Sequence, residues 1–184
     1  MRLTDPRALR AMAHPLRLDL LELLGIEGPL TAADCARRLG ASQASCSYHL
    51  RELGRYGMVA DAPGGADHRQ RPWQLTDVEQ RWSSADAPVA AAQLDRVMVQ
   101  READRRLAWI ASAAAEPAEW QEASFFGGAT LPLTVDELEA LGGALRVAIE
   151  PYVARVTDRS LRPPGARPVR ILLGSTPLPP GHPS

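Results

Sequence analysis

Two short amphipathic patterns lie close together between residues 30 and 59 and predict two helices joined by a tight turn. Thr31 is a good N-cap for the first helix, which should end before Gly40. Ser42 caps the second helix, and Gly57 marks its end. This spacing is typical of a helix-turn-helix.

The second helix has two chemically different faces. Cys46, Leu50 and Leu53 recur at i, i+4 and i+7, which predicts one buried seam. Any surface helix has a polar face, but serine forms helices less readily than the Glu and Lys that usually occupy one. Hydroxyls, amides and guanidinium groups reach base edges and phosphates in a major groove, so we predict contacts to double-stranded DNA from Gln43, Ser45, Ser47, Tyr48, Arg51 and Arg55. We add His49 to this set, although its position beside the seam also fits a core residue.

Two further helices are predicted before this motif. Asp5-Pro6 opens a short one within residues 1–13, and Pro15 starts another that should end at Gly25. Arg17 lies on the polar side of the second, where a phosphate contact and a solvated charge are both reasonable. The apolar face of that helix is predicted to consist of Leu16, Leu20, Leu23 and Leu24.

After Gly57 the pattern changes from helical to extended. Residues 58–60 and 73–76 read as two strands, and residues 63–67 supply turn chemistry between them. Arg69 and Arg71 flank this hairpin, either for solubility or to contact DNA. Three helices followed by a basic hairpin predict a winged helix, and we assign both arginines to DNA phosphates or the minor groove.

A polar stretch from 76 to 88, around Trp82, is predicted to be a linker. Residues 89–115 are rich in alanine and predict a helix of about 25 residues, close to 38 Å long. The charged residues between 101 and 106 should pair on an exposed face of that helix. Its apolar positions are Leu94, Val97, Met98, Leu107 and Ile110.

The rest of the chain suggests a small α/β module. Residues 124–133 and 168–176 have strand character, and the strands 129–133 and 169–175 should pair. Thr134 opens a capping box before an amphipathic helix that Pro151 should bend or end. Aromatic residues dominate the large side chains in this half. They would line a pocket for a small apolar organic effector, or simply form the core of the module: Trp82, Trp109, Trp120, Phe125 and Phe126.

Composition excludes several classes of function. The 184 residues are 45% hydrophobic and 23% charged with a net charge of −1, which is ordinary for a folded domain, and no apolar run reaches membrane length. We therefore expect a cytoplasmic protein without a membrane partner. Catalytic motifs such as G-x-S-x-G, a phosphate loop and H-E-x-x-H are missing, so we expect no enzyme and no cofactor. Cys35, Cys46 and the four histidines do not have the spacing of a metal site.

The segments MAHPLRLDLLELL and SQASCSYHLREL, followed by the glycine-tipped hairpin, resemble the ArsR-like family of bacterial winged-helix regulators over residues 7–77. The resemblance implies a homodimer whose recognition helices read an inverted-repeat operator about one duplex turn apart. It also implies repression that a ligand relieves, and a long helix that packs against its partner. Metal-sensing members carry a Cys-x-Cys pair where this chain has only Cys35, so a metal-responsive regulator is the weaker alternative.

We therefore predict a mostly helical α+β protein. Residues 1–80 form a winged helix-turn-helix domain, and residues 89–178 form a long dimerisation helix with a small α/β C-terminal module. The expected function is a homodimeric repressor that an apolar organic effector releases from DNA. The alternative is a ligand-binding or protein-interaction module that retains a helix-turn-helix scaffold.

Overall fold

Helices make up most of the chain, with two very small sheets. The structure, a computed structural model, describes residues 1–63, 71–83, 85 and 87–179. The helices are α1 Pro6–Met12, α2 Pro15–Glu27, α3 Ala32–Leu39, α4 Gln43–Arg55, α5 Pro88–Ser112, α6 Ala118–Ala123 and α7 Val135–Thr157. The strands are β1 Arg2–Leu3, β2 Val59–Asp61, β3 Trp73–Leu75 and β4 Arg81–Trp82. A single 3₁₀ turn follows α5 at 113–115, and another follows α7 at 159–161.

Side-chain caps define where the first helices begin. Asp5 accepts from the N–H of Arg7 at the start of α1, and Ser42 accepts from the N–H of Ser45 at the start of α4. Thr31 forms a reciprocal capping box at the start of α3. Such caps satisfy N–H groups that a helix start leaves unpaired, and they confirm the predicted beginnings of these helices.

The core lies where α1 to α4 meet the first turns of α5. Its fully buried large side chains are Leu9, Leu20, Leu50, Leu53, Met58 and Leu94. The predicted end of α2 is wrong, because Gly25 lies within the helix and the chain turns at Gly28 with a φ of 77°. The predicted apolar face of α2 is also shifted, since its buried residues are Leu18, Leu20, Leu21 and Leu24.

The two sheets join distant parts of the chain. β2 and β3 are antiparallel with Val59 opposite Leu75, which agrees with the two predicted hairpin strands, while the predicted turn falls largely outside the described residues. β1 and β4 are parallel, with Leu3 opposite Trp82. The predicted linker around Trp82 is therefore wrong for residues 81–82, because Trp82 belongs to β4, which pairs with the N-terminal strand β1.

Helix α5 lies where the sequence predicts it, but Arg101 and Arg105 do not lie on an exposed face. Arg101 contacts Asp19 at 2.5 Å and Glu22 at 2.7 Å, and Arg105 also pairs with Glu22. These residues were expected on an exposed face. They instead connect α5 to α2, because Arg101 and Arg105 are only one helical turn apart and face the same side.

The predicted α/β module at the C-terminus is wrong. Residues 124–133 and 168–176 form no strand, so the expected pairing between these two segments is absent. The predicted capping box at Thr134 does open α7, which continues through Pro151 to Thr157 rather than ending early. None of the α7 residues is buried. No helix in the described part of the chain is long and apolar enough to cross a membrane.

Two arginines connect the C-terminal end of α7 to the C-terminal end of α2. Arg162 donates to the carbonyl of Ile26 at 3.0 Å and also to the carbonyl of Arg155 at 2.7 Å. Arg159 donates to the carbonyl of Glu27 at 3.1 Å. Helix C-termini leave carbonyls without partners and carry partial negative charge, so guanidinium groups are suitable partners for both ends.

Candidate nucleic-acid interface

Helix α4 rests on the core through the predicted seam. Cys46, Leu50 and Leu53 are fully buried, and α3 packs closely against the helix. Gly40 stands at the turn between α3 and α4 with a φ of 62°, a conformation that glycine adopts without strain. The seam and the turn together fix which face of α4 points outward.

The outward face of α4 carries the side chains predicted to contact DNA. Gln43, Arg51 and Arg55 are exposed, and the side chain of Tyr48 is 57% exposed. Ser45 and Ser47 are half-buried at the sides of this face. The structure therefore brings six of the predicted residues onto one polar surface, which we call the α4 face.

The arginines of the α4 face are held by neighbours on the same helix. Arg51 donates from Nε to the carbonyl of Ser47 at 3.1 Å, and Arg55 donates to Glu52 at 2.6 Å. Both are exposed, so these contacts position the guanidinium groups without removing them from solvent. An anion at this surface would share Arg55 with Glu52.

An open groove of about 490 Å³ separates the end of α4 from the β2–β3 hairpin. Its floor includes Trp73, and a Cβ added to Gly54 would approach Cζ3 of Trp73 to 3.1 Å. A side chain larger than hydrogen at this position would require the indole ring to shift by a few tenths of an ångström. The groove is lined by Arg51, Gly54, Arg55, Val59, Ala60, Asp61 and Trp73. Sequence reasoning missed Gly54 and Trp73, because their proximity depends on tertiary packing.

Of the two arginines predicted to contact DNA from the hairpin, the structure describes only Arg71. Arg71 lies beside Asp61, with Nη1 3.4 Å from the carboxylate. It therefore borders the groove next to the α4 face. Arg69 lies outside the described residues.

His49 does not belong to the exposed surface. It is only 9% exposed, and its ring packs at 4.3 Å from the ring of His14 and at 5.1 Å from that of Tyr48. Burial lowers the pKa of His49, and the charges of His14 and Arg17 lower it further against an opposing effect of Glu52. The assignment of His49 as a direct DNA contact therefore needs correction, because the helix turns it inward next to the seam.

Both cysteines lie inside the helix-turn-helix as buried thiols. Cys35 and Cys46 are free and fully buried. Burial, with a smaller effect of Cys46, raises the pKa of Cys35 to about 11, so the thiol stays protonated at neutral pH. Among the described residues, no cluster of three or more His, Cys, Asp or Glu side chains is placed to hold a metal ion.

The five aromatic residues predicted to line an effector pocket make separate contacts. Trp82 donates from Nε1 to Asp95 at 2.8 Å, Arg106 covers the ring of Phe126, and Arg167 covers the ring of Trp120. Phe125 is 83% exposed. Trp109 is half-buried in the second half of α5. Within the chain described, the structure does not gather these aromatic residues into one enclosed site.

The part of the chain that carries the α4 face is similar to a known domain family. Residues 12–61 match the family model described as a helix-turn-helix domain. The match covers α2, α3, α4 and β2, and it therefore includes the seam, the turn and the α4 face. A comparison with curated proteins gave no match.

Several solved structures are similar to the chain at low identity. HlyU from Vibrio cholerae, in its reduced form, is 24% identical over 50% of this chain and 81% of its own, with a TM-score of 0.34. The adhesin competence repressor AdcR from Streptococcus pyogenes is 19% identical over 76% and 80%, with a TM-score of 0.34. PcaV from Streptomyces coelicolor, a transcriptional regulator in complex with its natural ligand, is 17% identical over 74% of both chains, with a TM-score of 0.35.

Proposed function

We propose that the chain is a sequence-specific DNA-binding regulator of transcription that uses the α4 face to read the major groove. The observation that carries this proposal is an exposed surface of hydroxyl, amide and guanidinium groups on a helix anchored by a fully buried seam. The helix-turn-helix match over residues 12–61 supports it. An α-helix fits the width of the B-DNA major groove, so a rigid helix with an exposed polar face is suited to this role.

We expect residues in the N-terminal half of α4 to contact the base edges. Gln43 can bond an adenine edge with its amide, and the hydroxyls of Ser45, Ser47 and Tyr48 can donate to or accept from bases. Gln43 and Tyr48 are exposed, whereas the two serines are half-buried, so Gln43 and Tyr48 should make the largest contribution to sequence preference.

We expect arginines around the groove beside α4 to contact the DNA phosphates. Arg51 and Arg55 lie on one side of the groove, and Arg71 lies on the other beside Asp61. We retain Arg69 as a wing contact on sequence grounds. Because the whole chain carries a net charge of −1, this local cluster should supply most of the electrostatic attraction to DNA.

We also propose that the active form is a homodimer assembled through α5. Val99, Leu107 and Ile110 are exposed on this helix, and Leu107 is 64% exposed. Large apolar side chains in one row rarely stay in water, and a second copy would cover them symmetrically. A dimer would present two α4 faces to an inverted-repeat operator.

Repression and release by an apolar organic effector complete the proposal. Exposed aromatic and aliphatic side chains around Phe125, Phe126 and α7 offer apolar surface that a second copy and a bound molecule would share. Such a compound should raise the melting temperature of the protein and weaken its DNA binding. A broad compound library that changes neither property would reject the effector.

The decisive experiment is equilibrium binding to a duplex that contains the region upstream of the protein's own gene, measured by fluorescence anisotropy over a range of salt. Arg51→Ala should weaken binding to all sequences and reduce the salt dependence. Gln43→Ala should cost about 1–3 kcal/mol at one base position and leave the salt dependence unchanged. Arg146→Ala, which removes an exposed arginine from α7, is the matched control.

The outcomes separate the two readings of the chain. Salt-dependent binding that only the α4 variants weaken supports the proposed function. If neither specific nor non-specific duplex binds at low salt, the chain is not a DNA-binding regulator, and the helix-turn-helix then serves as a scaffold for protein or ligand interactions.

A further inference from the structure

Helix α7 carries a row of exposed apolar side chains. Four of them follow one another at intervals of four, three and four residues and therefore lie on one side of the helix: Leu141, Leu145, Ala148 and Tyr152. All four are exposed, with Leu145 at 43% and Tyr152 at 56%. We call this row the α7 stripe. Its spacing is that of the contact positions in a two-helix coiled coil.

The α7 stripe adjoins the side of the helix that is covered within the chain. The half-buried apolar residues lie along one flank of the stripe, and α7 packs on α2: Leu138, Ile149, Val153 and Val156. The apolar surface of α7 is therefore wider than the surface that its own chain covers. A contiguous exposed row of large apolar side chains marks a place where another molecule binds.

The exposed area of the chain indicates the size of that molecule. A compact protein of 19.9 kDa should expose about 8,700 Å² of accessible surface. This chain exposes 12753 Å², and in the described part of the chain no residue after Ala118 is buried. An obligate homodimer buries roughly 1,000–2,500 Å² on each copy. The excess is therefore large enough for a second copy, whereas a small organic molecule would leave most of it in water.

The charges beside the α7 stripe favour an antiparallel pair of helices. Glu137, near the start of α7, and Arg155, in its last turn, lie on the same flank of the stripe. The guanidinium of Arg155 is 4.9 Å from the ring of Tyr152, so it borders the stripe directly. In an antiparallel pair about a two-fold axis, equal flanks adjoin and opposite ends meet, so each Glu137 lies close to the Arg155 of the other copy. A parallel pair would keep these charges apart.

We propose that α7 pairs antiparallel with α7 of a second copy, with Leu145 on the two-fold axis and the α7 stripe buried between the two helices. In this register Leu138 of one copy lies opposite Tyr152 of the other. The inference rests on the homodimer of the proposed function, and it adds to the α5 contact a second one between the same two copies. Because Arg159 and Arg162 join the end of α7 to the end of α2, the pair also restricts the distance between the two helix-turn-helix domains.

The test is sedimentation equilibrium of the full chain at micromolar concentration. Leu145→Glu places two like charges against each other on the axis and should raise the dimer dissociation constant at least about 100-fold. Val147→Glu is the matched control, because Val147 is also an exposed apolar residue of α7 but lies on the opposite side of the helix. It should change the constant by no more than about twofold.

Mixing two variants separates a lost contact from a damaged helix. Leu145→Lys alone should dissociate as Leu145→Glu does. An equimolar mixture of Leu145→Glu and Leu145→Lys chains should form a heterodimer at least about tenfold tighter than either variant forms with itself, because opposite charges then meet on the axis. A helix that has lost its structure would not recover affinity on mixing, so a mixture as weak as its components would overturn the proposal.

Cysteine cross-linking tests the direction of the pair. Leu138→Cys chains mixed with Tyr152→Cys chains should form a disulfide-linked heterodimer on a non-reducing gel, while neither variant alone should cross-link. Cys35 and Cys46 are buried and should not interfere. Cross-linking of each variant with itself would indicate a parallel pair, and no cross-link in the mixture would indicate a different interface. Either result would contradict the antiparallel arrangement.

The outcomes also distinguish this inference from the homodimer on which it rests. If Leu145→Glu dimerises as the wild type does while Leu107→Asp combined with Ile110→Asp on α5 dissociates, the α7 pair is wrong and the α5 homodimer stands. If Val147→Glu dissociates as readily as Leu145→Glu, the effect is not specific to the α7 stripe and the pair is rejected. A wild-type chain that is monomeric would overturn both the pair and the homodimer, whereas the role of the α4 face is decided by DNA binding alone.

Discussion

The first half of the chain and the last third differ in what their apolar side chains contact. Every buried residue in the described part of the chain lies between Leu3 and Leu94. After Ala118 the chain still has many apolar residues, yet Phe125, Phe126 and Val147 are exposed. The N-terminal region therefore has its own core, while the C-terminal region has apolar surface that a single copy of the chain does not cover.

This difference indicates how the two regions should respond to change. A region with its own core loses stability when that core is damaged, whatever the state of assembly. The stability of a region whose apolar surface is covered only in an oligomer depends on assembly instead. Substitutions there should therefore change the dimer dissociation constant more than the free energy of unfolding.

The largest effect is expected from damage to the seam beneath α4. Leu50→Ala should lower the free energy of unfolding by about 2–5 kcal/mol, because Leu50 is fully buried and its removal leaves a cavity. The matched substitution Leu131→Ala, at an exposed position, should change it by less than about 0.5 kcal/mol. Urea unfolding followed by circular dichroism measures both. Equal losses would mean that the C-terminal region has a core of its own.

A smaller effect is expected on assembly. Leu107→Asp combined with Ile110→Asp should raise the dimer dissociation constant at least about 100-fold, since the charges would have to be buried without partners. Sedimentation equilibrium measures the constant, and the melting temperature of the N-terminal region should stay within a few degrees. A wild-type chain that is monomeric at micromolar concentration would remove the basis for this expectation.

The two capping boxes offer a closer comparison. Thr31→Ala removes the cap of α3 and should cost about 1 kcal/mol of unfolding free energy, because α3 packs on α4 inside the core. Thr134→Ala removes the same motif from α7, where no residue is buried, and should lower helicity without changing the main unfolding transition. Circular dichroism and urea unfolding report the two quantities separately. A similar shift of the main transition by both variants would show that α7 folds cooperatively with the core.

The smallest effect concerns pH. Burial lowers the pKa values of His14 and His49, so protonation favours the unfolded chain, in which histidine titrates near about 6.5. The stability that the neutral rings confer is present above that pH and is lost as the pH falls below it. Urea unfolding at pH 7.5 and 5.5 should show the loss, and His49→Gln should reduce it. Stability that increases on acidification over this range would contradict the pKa directions.

Local signals explain why the N-terminal helices were predictable from sequence. The caps at Asp5, Thr31 and Ser42 act within three residues of each helix start, and the seam of α4 repeats at helical spacing. The exception was α2. The sequence predicts its end at Gly25, but a glycine inside a helix costs only about 1 kcal/mol, and the packing of Leu24 on the core extends the helix past it.

Long-range contacts explain most of what sequence reasoning missed. The pairing of Leu3 with Trp82 involves strands of two residues, which have no periodicity to detect. Arg101 and Arg105 resemble the charges of an exposed face, and only the fold places Asp19 and Glu22 opposite them. The segments 124–133 and 168–176 have strand composition, but extended chain becomes a strand only when a partner pairs with it.

The sequence was sufficient to predict which residues lie on the exposed face of α4, but not which neighbouring residues turn inward. Helical spacing was sufficient to place Gln43, Tyr48 and Arg51 on one side of α4. The position of His49 was ambiguous, because it is adjacent to both the seam and the polar face, and contact with His14 turned it inward. That contact joins residues 35 positions apart in the sequence, and no local pattern indicates it.

The central claim is that DNA contacts the protein through the α4 face. It is tested most directly by mapping amide chemical-shift changes in the isotope-labelled full chain as a mixed-sequence duplex is added at low salt. The largest changes should fall on residues 43–55 and 71–75, with none on α7. Changes concentrated on α7, or no changes at any duplex concentration, would contradict it.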